Sequence, residues 1–175
     1  MQCPQLEHII RAAAAITGAT DFVVIGSQAI LGQFPAPPEE LLVSMEADVF
    51  TFRSEMDAEL IDGSIGQASP FHQAFGYYAH GVGNETATLP SGWKERLISV
   101  RNPNTGGGTA LCLEVHDLAV SKLAAGREKD LTFVEGLLRH GLANSEIIRE
   151  RLIATPVGPE IRDTCLSRLK RLEKE

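Results

Sequence analysis

Apolar residues recur at helical spacing through Ile9, Ile10, Ala13, Ala14 and Ile16, and Gly18 closes the pattern, so the chain opens on an amphipathic helix. The run Phe22-Val23-Val24-Ile25 then reads as a buried strand. Gly26-Ser27 breaks it, and Gln28 to Leu31 has the composition of a helix starting directly afterwards. The prolines of Phe34 to Pro38 predict a loop, because they remove donors and fix the backbone; a short helix over Glu39 to Val43 follows. Met45 to Phe52 alternates, with Met45, Ala47 and Val49 toward one side and Glu46, Asp48 and Phe50 toward the other, as a strand requires. Ser54 to Gln73 is mostly helical with glycine breaks, and Phe75 to His80 reads as a strand ending at Gly81. Leu97 to Val100 and Ala110 to Val115 are further strands, joined by the turn-rich Asn102 to Gly108.

From Asp117 onward the pattern is helical. Asp117 is placed to cap a helix through Lys122, the stripe Leu131, Val134, Leu137 and Leu138 continues in the next, and Gly141 ends it. Asn144 to Leu152 and Pro159 to Leu172 supply two more, with Lys170 to Glu175 as a solvated end. A mixed part over residues 1–116 and a helical part over 117–175, packed as one unit, is the organisation these elements imply; the 175 residues, 43% hydrophobic, suit a single core.

A net charge of -7 argues against a broad electrostatic grip on DNA or RNA, since that affinity is carried by Lys and Arg. Cys3, Cys112 and Cys165 are widely spaced and odd in number, which points away from a disulfide framework or a zinc site. Without a leader-like amino terminus or an apolar run of membrane-spanning length, the expected location is the cytoplasm, away from any membrane.

Two features carry chemistry. A Gly26-Ser27 turn at the end of a buried strand gathers backbone amides, a hydroxyl and a helix amino terminus toward one point, which suits a phosphate; a plain tight turn explains the same residues. Glu46 and Asp48 lie about 7 Å apart on one strand face and can share a hard cation such as magnesium, although a solvent-facing edge strand shows the same alternation. Together, Val24-Ile25-Gly26-Ser27 followed by Glu46-Ala47-Asp48-Val49 resembles the nucleotidyltransferase superfamily. A second block, Leu113 to Asp130, with Asp117-Leu118, Ser121-Lys122-Leu123 and Gly126-Arg127-x-Lys129-Asp130, resembles a bacterial subgroup related to AbiE-type toxins.

The resemblance implies an α+β fold: a mixed β-sheet with flanking helices and a helical C-terminal part. It implies metal-dependent transfer of a nucleoside monophosphate from a nucleoside triphosphate to an acceptor, RNA, protein or a small molecule. Gly26 and Ser27 would then hold phosphate, Glu46 and Asp48 magnesium or manganese, and Lys122, Arg127 and Lys129 the leaving pyrophosphate. Asp130 could instead tie up Lys122 or Arg127 in a structural network. Members of the superfamily commonly carry a third carboxylate on a neighbouring strand; here that place falls to His80, with Glu114 as a substitute and a hinge before Asp117 as its other reading. A nitrogen in that place points to a rival reading, a catalytically silent member that binds nucleotide or an antitoxin-like protein partner. Trp93 reads as a packing anchor for a loop rather than a base-stacking platform, since no aromatic and basic groove accompanies it. His8, His72, His116 and His140 have no metal spacing, and Ser27 lacks the Gly-x-Ser-x-Gly elbow of a serine hydrolase.

Overall fold

The computed structural model describes residues 1–174; Glu175, the last residue of the expected solvated tail, lies outside them. The first helix, α1, spans Cys3–Thr17 and ends at Gly18, whose left-handed φ of 70° lets its N–H cap Ala14. Strand β1 (Asp21–Val24) buries Phe22, Val23 and Val24 completely, as a central strand does. The chain then makes a 3₁₀ turn over Ser27–Ala29 and a single α turn, α2 (Ile30–Gln33), shorter than the helix expected from Gln28. Glu39–Leu41 is a 3₁₀ turn, and β2 runs Glu46–Phe50.

Helices α3 (Met56–Ile65) and α4 (Pro70–Phe75) precede β3 (Tyr78–Gly81). Phe75, expected in a strand, ends α4 instead, because Ser69 caps that helix through the His72 N–H, Pro70 opens it, and Gly76 in the left-handed region closes it. Strands β4 (Ile98–Val100) and β5 (Thr109–Cys112) complete the sheet. The expected strand over Ala110 to Val115 stops at Cys112: Glu114 is already the N-cap of α5 (Val115–Ala125), a place the sequence reading gave to Asp117. Helices α6 (Glu128–Arg139), α7 (Ser145–Ile153) and α8 (Pro159–Leu172) follow.

The five strands lie in the order β3-β2-β1-β5-β4. β1 pairs with β2 antiparallel and with β5 parallel, β2 with β3 parallel, and β4 with β5 antiparallel, so the fold is α+β with a mixed sheet and flanking helices. Ala47, Val49 and Ala79 pack inward beneath α3, leaving Glu46, Asp48, Tyr78 and His80 on the opposite face. One apolar core runs from Leu6 and Ile9 in α1 through β1 to Leu123, Leu137, Leu152 and Leu169 of the C-terminal helices. Among the described residues no helix is long and apolar enough to cross a membrane.

Asp117 is fully buried and meets the Arg96 guanidinium through two hydrogen bonds of 2.8 and 2.9 Å, with Arg151 at 3.7 Å. This fork pins the β3–β4 connection to α5. Removing one partner strands a buried charge, at a cost of about 3–5 kcal/mol. Arg96→Met is therefore expected to lower the melting temperature by about 6–20 °C, given roughly 2–4 °C per kcal/mol for a chain of this size. A scanning calorimetry trace within a degree or two of wild type would show that Asp117 finds compensation elsewhere.

Candidate metal centre and phosphate turn

The antiparallel pairing of β1 and β2 brings the end of β1 alongside the start of β2, where the Ile25 N–H donates to the Asp48 carbonyl at 3.1 Å. Gly26 is buried beneath the Asp48 side chain: a Cβ at this position would overlap the carboxylate. The absence of a side chain at Gly26 is thus what lets the acidic pair approach the Gly26-Ser27 turn. Ser27 is half-buried just beyond, at the start of the 3₁₀ turn.

Parallel pairing of β2 with β3 sets Glu46 opposite Tyr78 and Asp48 opposite His80. The His80 ring nitrogen Nδ1 stands 3.1 Å from Glu46 Oε1 and 3.1 Å from Asp48 Oδ1, near enough for one N–H to be shared between both carboxylates. One ligand atom each from Glu46, Asp48 and His80 falls within 4.8 Å of the others, the spacing of a metal centre. The Tyr78 hydroxyl donates to the second oxygen of Glu46, Oε2, at 2.8 Å.

The charges in this cluster are unevenly held. Burial, reinforced by hydrogen bonding and repulsion from Glu46, pushes the Asp48 carboxyl above its ordinary range. Burial also works against Glu46, but the Tyr78 hydroxyl and its Asp48 and His80 neighbours hold it below. For His80, burial is outweighed by the Asp48, Asp62 and Glu46 carboxylates, which favour the imidazolium. The Tyr78 phenol, desolvated and facing Glu46, is pushed up to about 12 and so remains a donor at any physiological pH. Two carboxylates that resist joint ionisation, bridged by an imidazole, form a site that a divalent cation would satisfy better than protons do.

The other residues singled out from sequence divide. Glu114 is not part of this cluster: its oxygens accept the His116 N–H at 3.1 Å and face His116 Nδ1 at 2.6 Å, at the N-terminus of α5. Lys122 donates to Asp130 at 3.1 Å and lies 5.6 Å from the Phe133 ring centroid. Arg127 holds the same buried carboxylate at 2.6 Å. Both basic residues therefore sit in the structural network that sequence offered as an alternative. Arg127 nonetheless stays largely exposed, and its guanidinium is held charged first by Asp130 and, more weakly, by Asp48 and Glu46. Lys129 is exposed.

Tyr78 went unrecognised in the sequence although it lies two positions before His80, on the same face of β3. It is supported in turn by His72, whose ring centroid is 4.6 Å away. Because partners that orient a ligand typically contribute about 10- to 100-fold in metal affinity, Tyr78→Phe is expected to weaken manganese binding by that amount with little change in melting temperature. Unaltered binding in a calorimetric titration would mean that Glu46 keeps its orientation without the hydroxyl.

A family model described as "Nucleotidyltransferase of unknown function (DUF6036)" matches residues 4–157. No curated protein and no solved structure matches the chain.

Proposed function

Because the chain belongs to the DUF6036 family of nucleotidyltransferases of unknown function, we propose that it moves a nucleoside monophosphate from a nucleoside triphosphate to an acceptor hydroxyl or amine, releasing pyrophosphate. The observation that carries this reading is the meeting of Glu46, Asp48 and His80 on one sheet face, directly above Gly26. Two carboxylates suit magnesium or manganese, and the imidazole nitrogen tilts the set toward manganese, which accepts nitrogen more readily. A cation held there would neutralise phosphate charge and lower the pKa of the acceptor.

The chain's own residues supply the rest. Backbone amides at Gly26 and Ser27, with the Ser27 hydroxyl, hold phosphate oxygens of the triphosphate. Arg127 and Lys129 steady the pyrophosphate as charge builds on it; Lys122 contributes less, being committed to Asp130. Both oxygens of Glu114 are engaged with His116, so the acceptor's proton passes to the Glu46–Asp48 pair. The bond broken joins the α-phosphorus to the bridging oxygen of pyrophosphate, and the bond formed joins that phosphorus to the acceptor. The finer placement beside AbiE-type toxin nucleotidyltransferases belongs to the same proposal and rests on the block from Leu113 to Asp130.

A second reading has one observation behind it, the nitrogen donor of His80 at a place where a third carboxylate is usual. A centre weakened there would bind a triphosphate without turning it over, since ground-state binding alone does not lower the barrier. Incubation with labelled triphosphates, magnesium or manganese, and bulk RNA or protein separates the two. Label on an acceptor supports transfer, saturable triphosphate binding without label supports the silent form, and neither would remove the proposal altogether.

A further inference from the structure

The sheet face that carries the acidic cluster continues into an aromatic one. Alternation along β2 places Phe50 on the same side as Glu46 and Asp48, about 7 Å beyond Asp48. The Phe50 ring meets Phe52 edge-on, with centroids 5.6 Å apart at 86°, and Phe52 lies tilted against Trp93 at 6.1 Å and 40°. The Lys94 ammonium stands 5.0 Å from the Phe52 centroid and 5.7 Å from that of Trp93. Phe50, Phe52, Arg53, Val82, Asn84 and Lys94 line a cleft of about 490 Å³, with the Arg53 guanidinium held by Asp57 at 2.7 Å and by the Thr17 carbonyl at 2.6 Å. Trp93, beside Lys94 in sequence, thus gains an aromatic partner from Phe52, just beyond β2 and some forty residues earlier.

Phe52 remains 51% exposed although it follows a strand that buries its neighbour Phe50 almost completely. A half-exposed ring with the Lys94 ammonium, unpaired among the described residues, over it is matched to a flat aromatic group bearing negative charge. An apolar protein partner would use the ring but leave Lys94 to be desolvated at a cost. The exposed Asn84 at the rim offers a donor and an acceptor side by side, the pairing that reads the edge of a base. With an overall charge of -7, the basic character is local, so the ligand is one or two nucleotides long rather than an extended polymer.

We propose that this cleft is a nucleobase site: Phe52 stacks the base, Asn84 meets its edge, and Lys94 receives the attached phosphate. The inference rests on the nucleotidyl-transfer reading, and it gives that reading a substrate class. The base belongs either to the triphosphate or to a nucleotide acceptor.

Trp93 is the only tryptophan in the chain and lies against Phe52, so intrinsic fluorescence reports on the wall of this cleft. Nucleoside monophosphates titrated in the presence of a chelator are expected to quench it saturably, whereas ribose 5-phosphate and pyrophosphate, which lack a base, are not. Phe52→Ala is expected to weaken the quench about 5- to 150-fold, the range of one lost base stack, and Phe52→Tyr to restore it. If Phe52→Ala weakens metal-dependent triphosphate binding by the same factor, the base is the triphosphate's. Triphosphate binding that is unchanged while the monophosphate quench is lost assigns the site to the acceptor. No quench by any base, or a quench indifferent to Phe52, overturns the proposal even where metal-dependent triphosphate binding is intact. Conversely, a base-dependent quench without any metal-dependent binding would retain this site and remove the transfer reading.

Discussion

Asp48→Asn is expected to abolish metal-dependent triphosphate binding while leaving the melting temperature at neutral pH unchanged or raised. The loss should exceed the roughly 10- to 100-fold typical of groups that merely orient a ligand, because the substitution removes a charged oxygen donor from the centre itself. The stability half of the expectation follows from the position of the carboxyl. Burial and the neighbouring Glu46 both push Asp48 above its ordinary range, so keeping it ionised works against the folded state. Metal-free wild type should accordingly gain stability as pH falls from neutral through that raised value, with the gain complete near the unfolded value of 3.8. The Asn variant should lack this component. Calorimetric titration and thermal melts in a chelator test the two halves separately, and triphosphate affinity in magnesium or manganese that matches wild type would sink the assignment of Asp48 as a ligand.

Much of the frame was legible in the chain because local physics decides it. The helical stripe from Ile9 to Ile16, the buried strand ending at the Gly26-Ser27 break, and the facing of Glu46 and Asp48 depend only on period and turn chemistry, and all three stand in the structure. Boundaries failed where a cap outranked composition. Phe75 and Glu114 have neighbours suited to strands, yet Gly76 in the left-handed region claims the first for α4, and a side chain able to receive the His116 N–H makes the second a helix cap.

What periodicity cannot give is which strands are neighbours. The order β3-β2-β1-β5-β4 sets His80 and Tyr78 beside the acidic pair and carries Glu114 to the N-terminus of α5 instead. The same limit hid the company of Trp93, since Phe52 reaches it only through the fold. Lys122 and Arg127 show the converse case. Their spacing to Asp130 permitted both a phosphate site and an internal network, and the buried carboxylate of Asp130 draws both cations, leaving Arg127 exposed enough to retain a second role.

Replacing His80 by Asp is expected to raise nucleotide transfer in magnesium by about 10-fold or more, at least the effect of a group that only orients a ligand, and to shift the metal preference from manganese toward magnesium. The register that sets His80 opposite Asp48 means that a carboxylate there would face the same point from the neighbouring strand. An oxygen donor suits magnesium where an imidazole does not, and a completed centre helps orient and deprotonate the acceptor. The substitution has a cost that makes it diagnostic. In the metal-free protein the His80 N–H lies between Glu46 and Asp48 and offsets their repulsion, so three carboxylates without a cation should lower the melting temperature, and added magnesium should restore it. Steady-state transfer and melts with and without magnesium read both effects. If wild type already transfers at about 1 per second or faster in magnesium, His80 is no impediment and the imidazole is part of a working centre. If the Asp variant instead loses triphosphate binding and gains no stability from magnesium, His80 serves by bridging the two carboxylates, and the place opposite Asp48 is not a third ligand position at all.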